Sequence, residues 1–399
     1  MSRQSPRAAL PQEIWVLVSA AFVIAIGFGL VAPALPQYAR SFGVGITAAS
    51  ALISAFALMR LCFAPLSGSL VQRLGERPVY LLGLGIVALS TGACALAGEY
   101  WQLLLFRALG GIGSTMFSVS ALGLLIRMSP PEGRGRVSGL YATSFLLGSI
   151  SGPLIGAALI GFGLRVPFVI YAIALVIAAG VVFFSLRGSS FAARDSAVDT
   201  VRMPLRAALG TSAYRAALSS NFANGWTVMG VRVAMVPLFV VEALQQPAGV
   251  AGIALTVFAL GNAAVMFQSG RLSDRFGRKP FILSGLLVSG LATIAVGFTG
   301  NIVAFLALTL IAGFGSGLLT PAQQASVADV IGQKARGGQV LATFQMVADV
   351  GAIVGPIVAG LLAEAFSYGV AFAASGVIML LAAVGWLFAP DTVDRNNGG

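Results

Sequence analysis

The chain has 399 residues, 58% of them apolar and only 9% charged, with a net charge of +11 and no histidine. A soluble domain carries roughly 25% charged residues, so this inventory cannot build a water-facing surface, and it excludes a His-ligated metal site or a His base. The basic balance would suit nucleic acid, but the cations fall in short segments between long apolar runs, which is the pattern of a membrane protein.

A membrane span needs roughly 20 apolar residues. Twelve such stretches follow one another, at 14–35, 46–67, 79–97, 102–127, 137–160, 166–186, 215–241, 249–269, 280–299, 302–329, 337–363 and 368–389. The first is preceded by Arg3 and Arg7, as in a signal peptide, but it runs long and into Pro33 and Pro36 without a small-residue cleavage site. It is expected to stay as an uncleaved first helix. With the N-terminus in the cytoplasm, 19 of the 24 Lys and Arg residues occupy cytoplasmic segments, and only Arg40 and Arg165 lie on the opposite face. The positive-inside rule then makes both termini cytoplasmic. The longest connection, 187–214, is polar and separates a six-helix bundle at 1–186 from a second at 215–399. No connection has room for a soluble catalytic domain and no G-x-x-x-x-G-K-[ST] loop is present, so neither ATP nor another cofactor is expected. Cys62 and Cys94 lie inside apolar stretches and read as small packing residues.

The halves repeat one plan. G-S-L-V-Q-R-L-G-E-R at 68–77 recurs as G-R-L-S-D-R-F-G-R-K at 270–279, an offset of 202 residues. Arg73 matches Arg275, Gly75 matches Gly277, Gly111 and Gly113 match Gly313 and Gly315, and Gly152-Pro153 matches Gly355-Pro356. A parallel repeat of six spans points to a transporter whose halves rock about a central site.

With these motifs in place, the chain resembles the major facilitator superfamily, and most of all its twelve-helix drug/proton antiporters. The resemblance rests on the loop at 270–279, I-G-F-G-L-V-A-P-A-L-P at 26–36, F-R-A-L-G-G-I-G at 106–113 and G-S-I-S-G-P-L-I-G at 148–156. It implies an all-α membrane fold of two pseudo-symmetric six-helix bundles around a midplane cavity. It also implies an interhelical latch in which Gly270, Asp274, Arg275, Gly277 and Arg278 act with Asp329. In the first half Glu76 stands where Arg278 stands in the second, and Arg127 where Asp329 stands. A sign-exchanged Glu76–Arg127 pair keeps the Coulomb attraction. Gly148, Gly152 and Gly156 recur every four residues, so with Pro153 they give helix 5 a small, bendable face, expected to slide at the interface between halves. The resemblance makes helices 1, 4, 7 and 10 line the cavity, with Phe28, Met116, Phe117, Asn221, Asn224, Trp226, Met229, Arg232, Gln323 and Gln324 as candidate lining residues; apolar walls with a few amides suit amphiphilic small molecules.

Charges deep in the spans are the sharpest functional signal. Arg60, Arg107, Arg232 and Asp349 each cost about 2.5–3.5 kcal/mol to insert, so each is expected to face a cavity or a partner. Asp349 lies about 20 Å into helix 11 and Arg60 about 14 Å into helix 2, at 1.5 Å per residue. Helices 2 and 11 meet between the halves in the resembled fold, so an Arg60–Asp349 pair is expected near mid-membrane, as structural glue or as coupling machinery. Asp349 is the first candidate for a side-chain proton carrier. Arg107 matches the helix-4 arginine of the resembled family, to which a proton-relay or substrate contact role belongs, while the first helix lacks the central acid some of its exporters use. Three cations against one acid would suit an anionic or electron-rich substrate. The expected function is proton-driven export of a small amphiphilic compound from a bacterial-type inner membrane. One chain suffices in principle, so a monomer is expected. Proton-coupled uptake of a nutrient and a non-transporting receptor are the alternatives. Reversing Glu76 alone (Glu76→Arg) is expected to impair transport, and adding Arg127→Glu to restore it; a flux assay on the double variant decides, and absence of rescue removes the pair.

Overall fold

The structure, a computed structural model, describes residues 12–128, 134–185, 201–202, 204–332, 335–336 and 338–392. Among these, twelve helices are long and apolar enough to cross a membrane. They are α1 (Gln12–Val31), α2 (Ile46–Leu74), α3 (Glu76–Leu96), α4 (Tyr100–Met128), α5 (Arg134–Ile160), α6 (Val166–Ser185), α7 (Ser212–Ala243), α8 (Gly249–Phe276), α9 (Arg278–Val296), α10 (Ile302–Ile331), α11 (Gly338–Ala365) and α12 (Tyr368–Phe388). Two short helices, Leu35–Arg40 and Leu205–Gly210, lie outside the spans. Val201–Arg202 pairs in parallel with Ala335–Arg336, tying the linker between halves to the α10–α11 connection.

The repeated loops owe their shape to one glycine each. Gly75 (φ +84°) ends α2 and starts α3, and Gly277 (φ +102°) does the same between α8 and α9. Side-chain-bearing residues avoid these angles. Gly270, the first glycine of the motif, has only ordinary contact: a Cβ there would stand 3.8 Å from Pro321 Cβ. Only the second glycine of the motif is demanded by geometry.

Close approach occurs instead along α5 and α11, and mostly inside each half. A Cβ at Gly148 would fall 2.5 Å from Ala25 Cβ, one at Gly152 2.5 Å from the Ile26 carbonyl, and one at Gly156 2.5 Å from the Leu30 carbonyl. All three partners are on α1. This corrects the expectation that the Gly148–Gly152–Gly156 face slides between halves: without a hydrophobic force between helices in lipid, close backbone contact holds α1 to α5. The second half repeats the device, Gly351 and Gly355 facing Trp226 of α7. The neighbouring face of α5 makes the contact between halves, with Ala157 against Gly249 and Gly252 of α8; Gly360 of α11 likewise meets Thr47 of α2.

The polar bonds recorded between halves lie at mid-depth or on the face opposite the termini. Arg40 Nε donates to Glu242 Oε1 at 2.7 Å, and within the second half Tyr368 Oη donates to the other oxygen of the same carboxylate, Glu242 Oε2, at 2.7 Å. Thr47 donates its N–H and hydroxyl to Glu364 at 3.0 and 2.7 Å, and Gln37 Nε2 reaches the Ala248 carbonyl at 3.3 Å. Thr256 Oγ1 donates to the Ile150 carbonyl at 3.3 Å. Toward the basic face, Leu66 of α2 and Leu341 and Met346 of α11 are exposed. Among the described residues, the recorded polar bonds between halves all lie at mid-depth or toward the face opposite the termini.

Gly152→Val would press a branched side chain into the α1 backbone and is expected to destabilise the protein by about 1–3 kcal/mol, the usual cost of overpacking. Gly180→Val, where an added Cβ meets nothing within 4 Å, should leave stability unchanged. Thermal unfolding in detergent compares the two.

Candidate functional site: a charged cavity between the halves

A cavity of about 340 Å³ lies between the halves. Ile24 and Phe28 of α1, Ile53, Phe56, Ala57 and Arg60 of α2, and Arg107, Ser114, Phe117 and Ser118 of α4 form one wall, with Val87, Tyr141, Phe145 and Tyr171 beside them. Val228, Met229 and Val233 of α7 and Asp349 and Ala352 of α11 close it from the second half. A neighbouring space of about 270 Å³ between α1, α5, α7 and α8 shares Phe28, Phe145, Val228 and Val233, and adds Arg232, Phe258 and Asn262.

Arg60 and Asp349 face the larger cavity from opposite halves. Asp349 lies beside the Gln345 side chain and within electrostatic reach of Arg60, without an ion-pair contact between them among the described residues. The other two deep cations are held differently. The guanidinium of Arg107 lies 4.1 Å from the centre of the Phe56 ring and 5.8 Å from that of Phe28; that of Arg232 lies 3.9 Å from the Phe258 ring. Such stacking is worth about 0.5–2 kcal/mol, which offsets part of the cost of placing the charge there. Nε of Arg60, Arg107 and Arg232 is buried without an acceptor in each case.

Helix α7 widens where it meets α11. Gly225–Val231 and Phe239–Ala243 wind as π-helical turns, a form found often at functional sites. Gly225 lets α7 approach α11 beside Asp349: a Cβ there would stand 2.8 Å from Ala348 Cα.

Of the expected lining residues, Phe28, Phe117, Met229 and Arg232 line one or both spaces. Met116, Asn221, Asn224, Trp226, Gln323 and Gln324 line neither. Met116 turns to α3, its Cβ 3.0 Å from a Cβ built at Gly83. The amides tie helices together instead: Gln323 Nε2 donates to Asn221 Oδ1 at 2.8 Å, and Asn221 Nδ2 to the Phe344 carbonyl at 2.6 Å. Trp226 Nε1 donates to Ser375 Oγ at 3.2 Å, Asn224 is buried and Gln324 is exposed. Neither space is lined by α10; α2, α5 and α11 contribute in its place. A buried amide must bond to something, and here a neighbouring helix is nearer than the cavity. Phe56, Phe145 and Phe258 were not singled out in the sequence, because nothing in local spacing distinguishes a phenylalanine under a guanidinium from one in a helix interface.

At the repeated loop, Arg278 pairs with Asp274, and its Nε donates to Asp329 Oδ2 at 3.2 Å. The segment after α12 joins the cluster: Asp391 accepts from the Arg278 N–H at 2.9 Å, and Thr392 Oγ1 donates to Asp329 at 2.9 Å. All of these groups belong to the second half. Arg275 stands apart, exposed and 5.3 Å from the Phe276 ring centre. In the first half Glu76 is buried, and a Cβ at Gly123 would stand 2.8 Å from its Cγ. The Arg127 side chain lies outside the described residues.

Twelve membrane-spanning helices in two equivalent sets, around a charged central cavity, define a membrane transporter and not an enzyme. Residues 17–230 and 217–399 match the family model of the Major Facilitator Superfamily, and the chain belongs to that family. It is 29% identical to the class C tetracycline resistance protein of Escherichia coli, over 86% of this chain and 87% of the relative. It is 25% identical to the multidrug resistance protein MdtH of Cronobacter sakazakii, over 79% of this chain and 78% of the relative. Among solved structures it is similar to a bacterial homologue of the human lysosomal transporter Spinster in an inward-facing, unoccupied conformation, with a TM-score of 0.79 and 18% identity over 94% and 95% of the two chains. A D-xylose–proton symporter gives 0.77 and 16% over 96% and 99%. These two likenesses concern the fold.

The Arg278 side chain is mostly buried while Asp274 is exposed. Discounting the exposed partner, Arg278→Ala is expected to lower stability by about 1–2 kcal/mol. Arg275→Ala is expected to change it little. Thermal unfolding of the two variants side by side checks this.

Proposed function

We propose that this protein exports a small amphiphilic compound in exchange for protons, by alternating access of the central cavity. Both termini are then cytoplasmic, in line with the placement of the cations, and the basic face is the cytoplasmic face of an inner membrane. The contacts between halves on the opposite face are those of a state closed to the outside. One chain carries both halves and the whole cavity, so a monomer is the working unit.

The observation that carries the reading is the placement of Asp349. It is the acid that lines the cavity, and it faces Arg60 on the other half. A carboxyl in such a place holds its proton more or less readily as a cation leaves or approaches. Rocking of the halves changes the distance between α2 and α11, so access and proton affinity change together. The drug-resistance relatives support export as the direction. The cluster around Arg278 would hold the cytoplasmic ends of α8, α9 and α10 as one body through this motion, the interhelical latch acting within the second half.

In everted vesicles carrying a proton gradient, addition of substrate is expected to release protons from vesicles with the wild-type protein. Asp349→Asn should reduce that release to the level of vesicles lacking the protein, with normal amounts of protein in the membrane, and Asp349→Glu should retain part of it. Undiminished coupling in Asp349→Asn removes Asp349 from the mechanism.

A further inference from the structure

The two adjoining spaces hold an unbalanced charge. Arg60, Arg107 and Asp349 line the larger, and Arg232 lines the smaller. Arg107 and Arg232 are only 8% and 4% exposed, they come from opposite halves, and neither has an ion-pair partner among the described residues.

The phenylalanine rings beneath them do not complete their coordination. A ring face attracts the flat of a guanidinium but accepts none of the N–H groups that point outward in its plane. That is the condition observed: Nε of both arginines is buried with no acceptor. In-plane guanidinium donors in an apolar setting match the two oxygens of a carboxylate or a comparable oxyanion. The surrounding wall is apolar and aromatic, built from Phe28, Phe56 and Phe258. A guest that answers both features has a ring-bearing apolar body and one acidic head. A cationic amphiphile brings no acceptor and meets like charge from both halves.

We infer that the substrate is an amphiphilic organic anion, its acidic head accepting from Arg107 and Arg232 and its body lying against the phenylalanine rings. This rests on the exporter reading above and narrows it. It also fixes the electrical character of the cycle. Exchange of a proton for a monoanion carries net charge across the membrane, whereas exchange of a proton for a monovalent cation in equal number carries none.

Three compounds with one body separate the possibilities: 1-naphthoate, 1-naphthamide and 1-naphthylmethylammonium. Equilibrium dialysis against the purified full-length protein in detergent, with empty micelles subtracted, measures their binding. The carboxylate is expected to bind at least about tenfold more tightly than the amide, the scale of a charge-assisted hydrogen bond, with the ammonium weakest. Arg107→Gln and Arg232→Gln should each erase most of the preference. Arg107→Lys and Arg232→Lys, if they unfold at the wild-type temperature, should keep the order of the three compounds. Equal affinities, tightest binding of the ammonium, no binding of the carboxylate, or a preference unmoved in both Gln variants overturns the inference. None of those results touches proton-coupled export itself, which stands or falls on Asp349 in the vesicle assay.

Discussion

A charge buried in hydrocarbon must be answered by something, and in this molecule that requirement organises the centre. Asp349 is answered by the field of Arg60 across the space between halves. Arg107 and Arg232 are answered by ring faces. Each solution is partial, and the buried Nε atoms record what is left over. A protein selected only for stability would replace such groups with apolar ones at little cost. Their presence, gathered around one cavity, is what separates this bundle from a merely well-packed set of twelve helices.

The frame around these charges is built from small residues. Because lipid is as apolar as leucine, helices in a membrane hold together by close fit and by hydrogen bonds, not by escape from water. Gly148, Gly152 and Gly156 press α5 onto α1, and Gly351 and Gly355 press α11 onto α7. These tight pairs lie within each half and make it rigid. The pairs α2 with α11 and α5 with α8 lie between halves; they approach as closely at Gly360 and Gly252 and carry the polar bonds Thr47–Glu364 and Thr256–Ile150. Two closely packed halves that meet along a small number of helix pairs are the mechanical condition for rocking about a central site.

Much of this was legible in the chain. Apolar runs, their number and the offset repeat defined the twelve spans and the two sets of six, since nothing else can be made of such a composition in a bilayer. The residues at 270–279 and 148–156 placed the chain beside one family, and the family model agrees. The deep charges could be named one by one, because an ionised group in a run of apolar residues is conspicuous whatever it touches. The reading was poorer wherever the answer depended on which way a helix faces. Asn221, Trp226 and Gln323 were expected to line the cavity and bond to neighbouring helices instead. The α5 glycines were assigned to the interface between halves and belong to the interior of one. A single span that is apolar all round gives no periodic signal of orientation.

The sequence alone therefore settled class, span number, duplication and the identity of the charged residues, all of which follow from composition and from linear spacing. Tertiary structure alone decided which surfaces meet. It put Arg60 and Asp349 on opposite walls of one space, set Arg107 over Phe56 and Arg232 over Phe258, and joined the two halves through Arg40–Glu242. Those pairings join residues from separate helices, often more than a hundred positions apart in the chain. They arise from how rigid helices rotate and tilt against one another, a property of the assembled bundle that no local run of residues encodes.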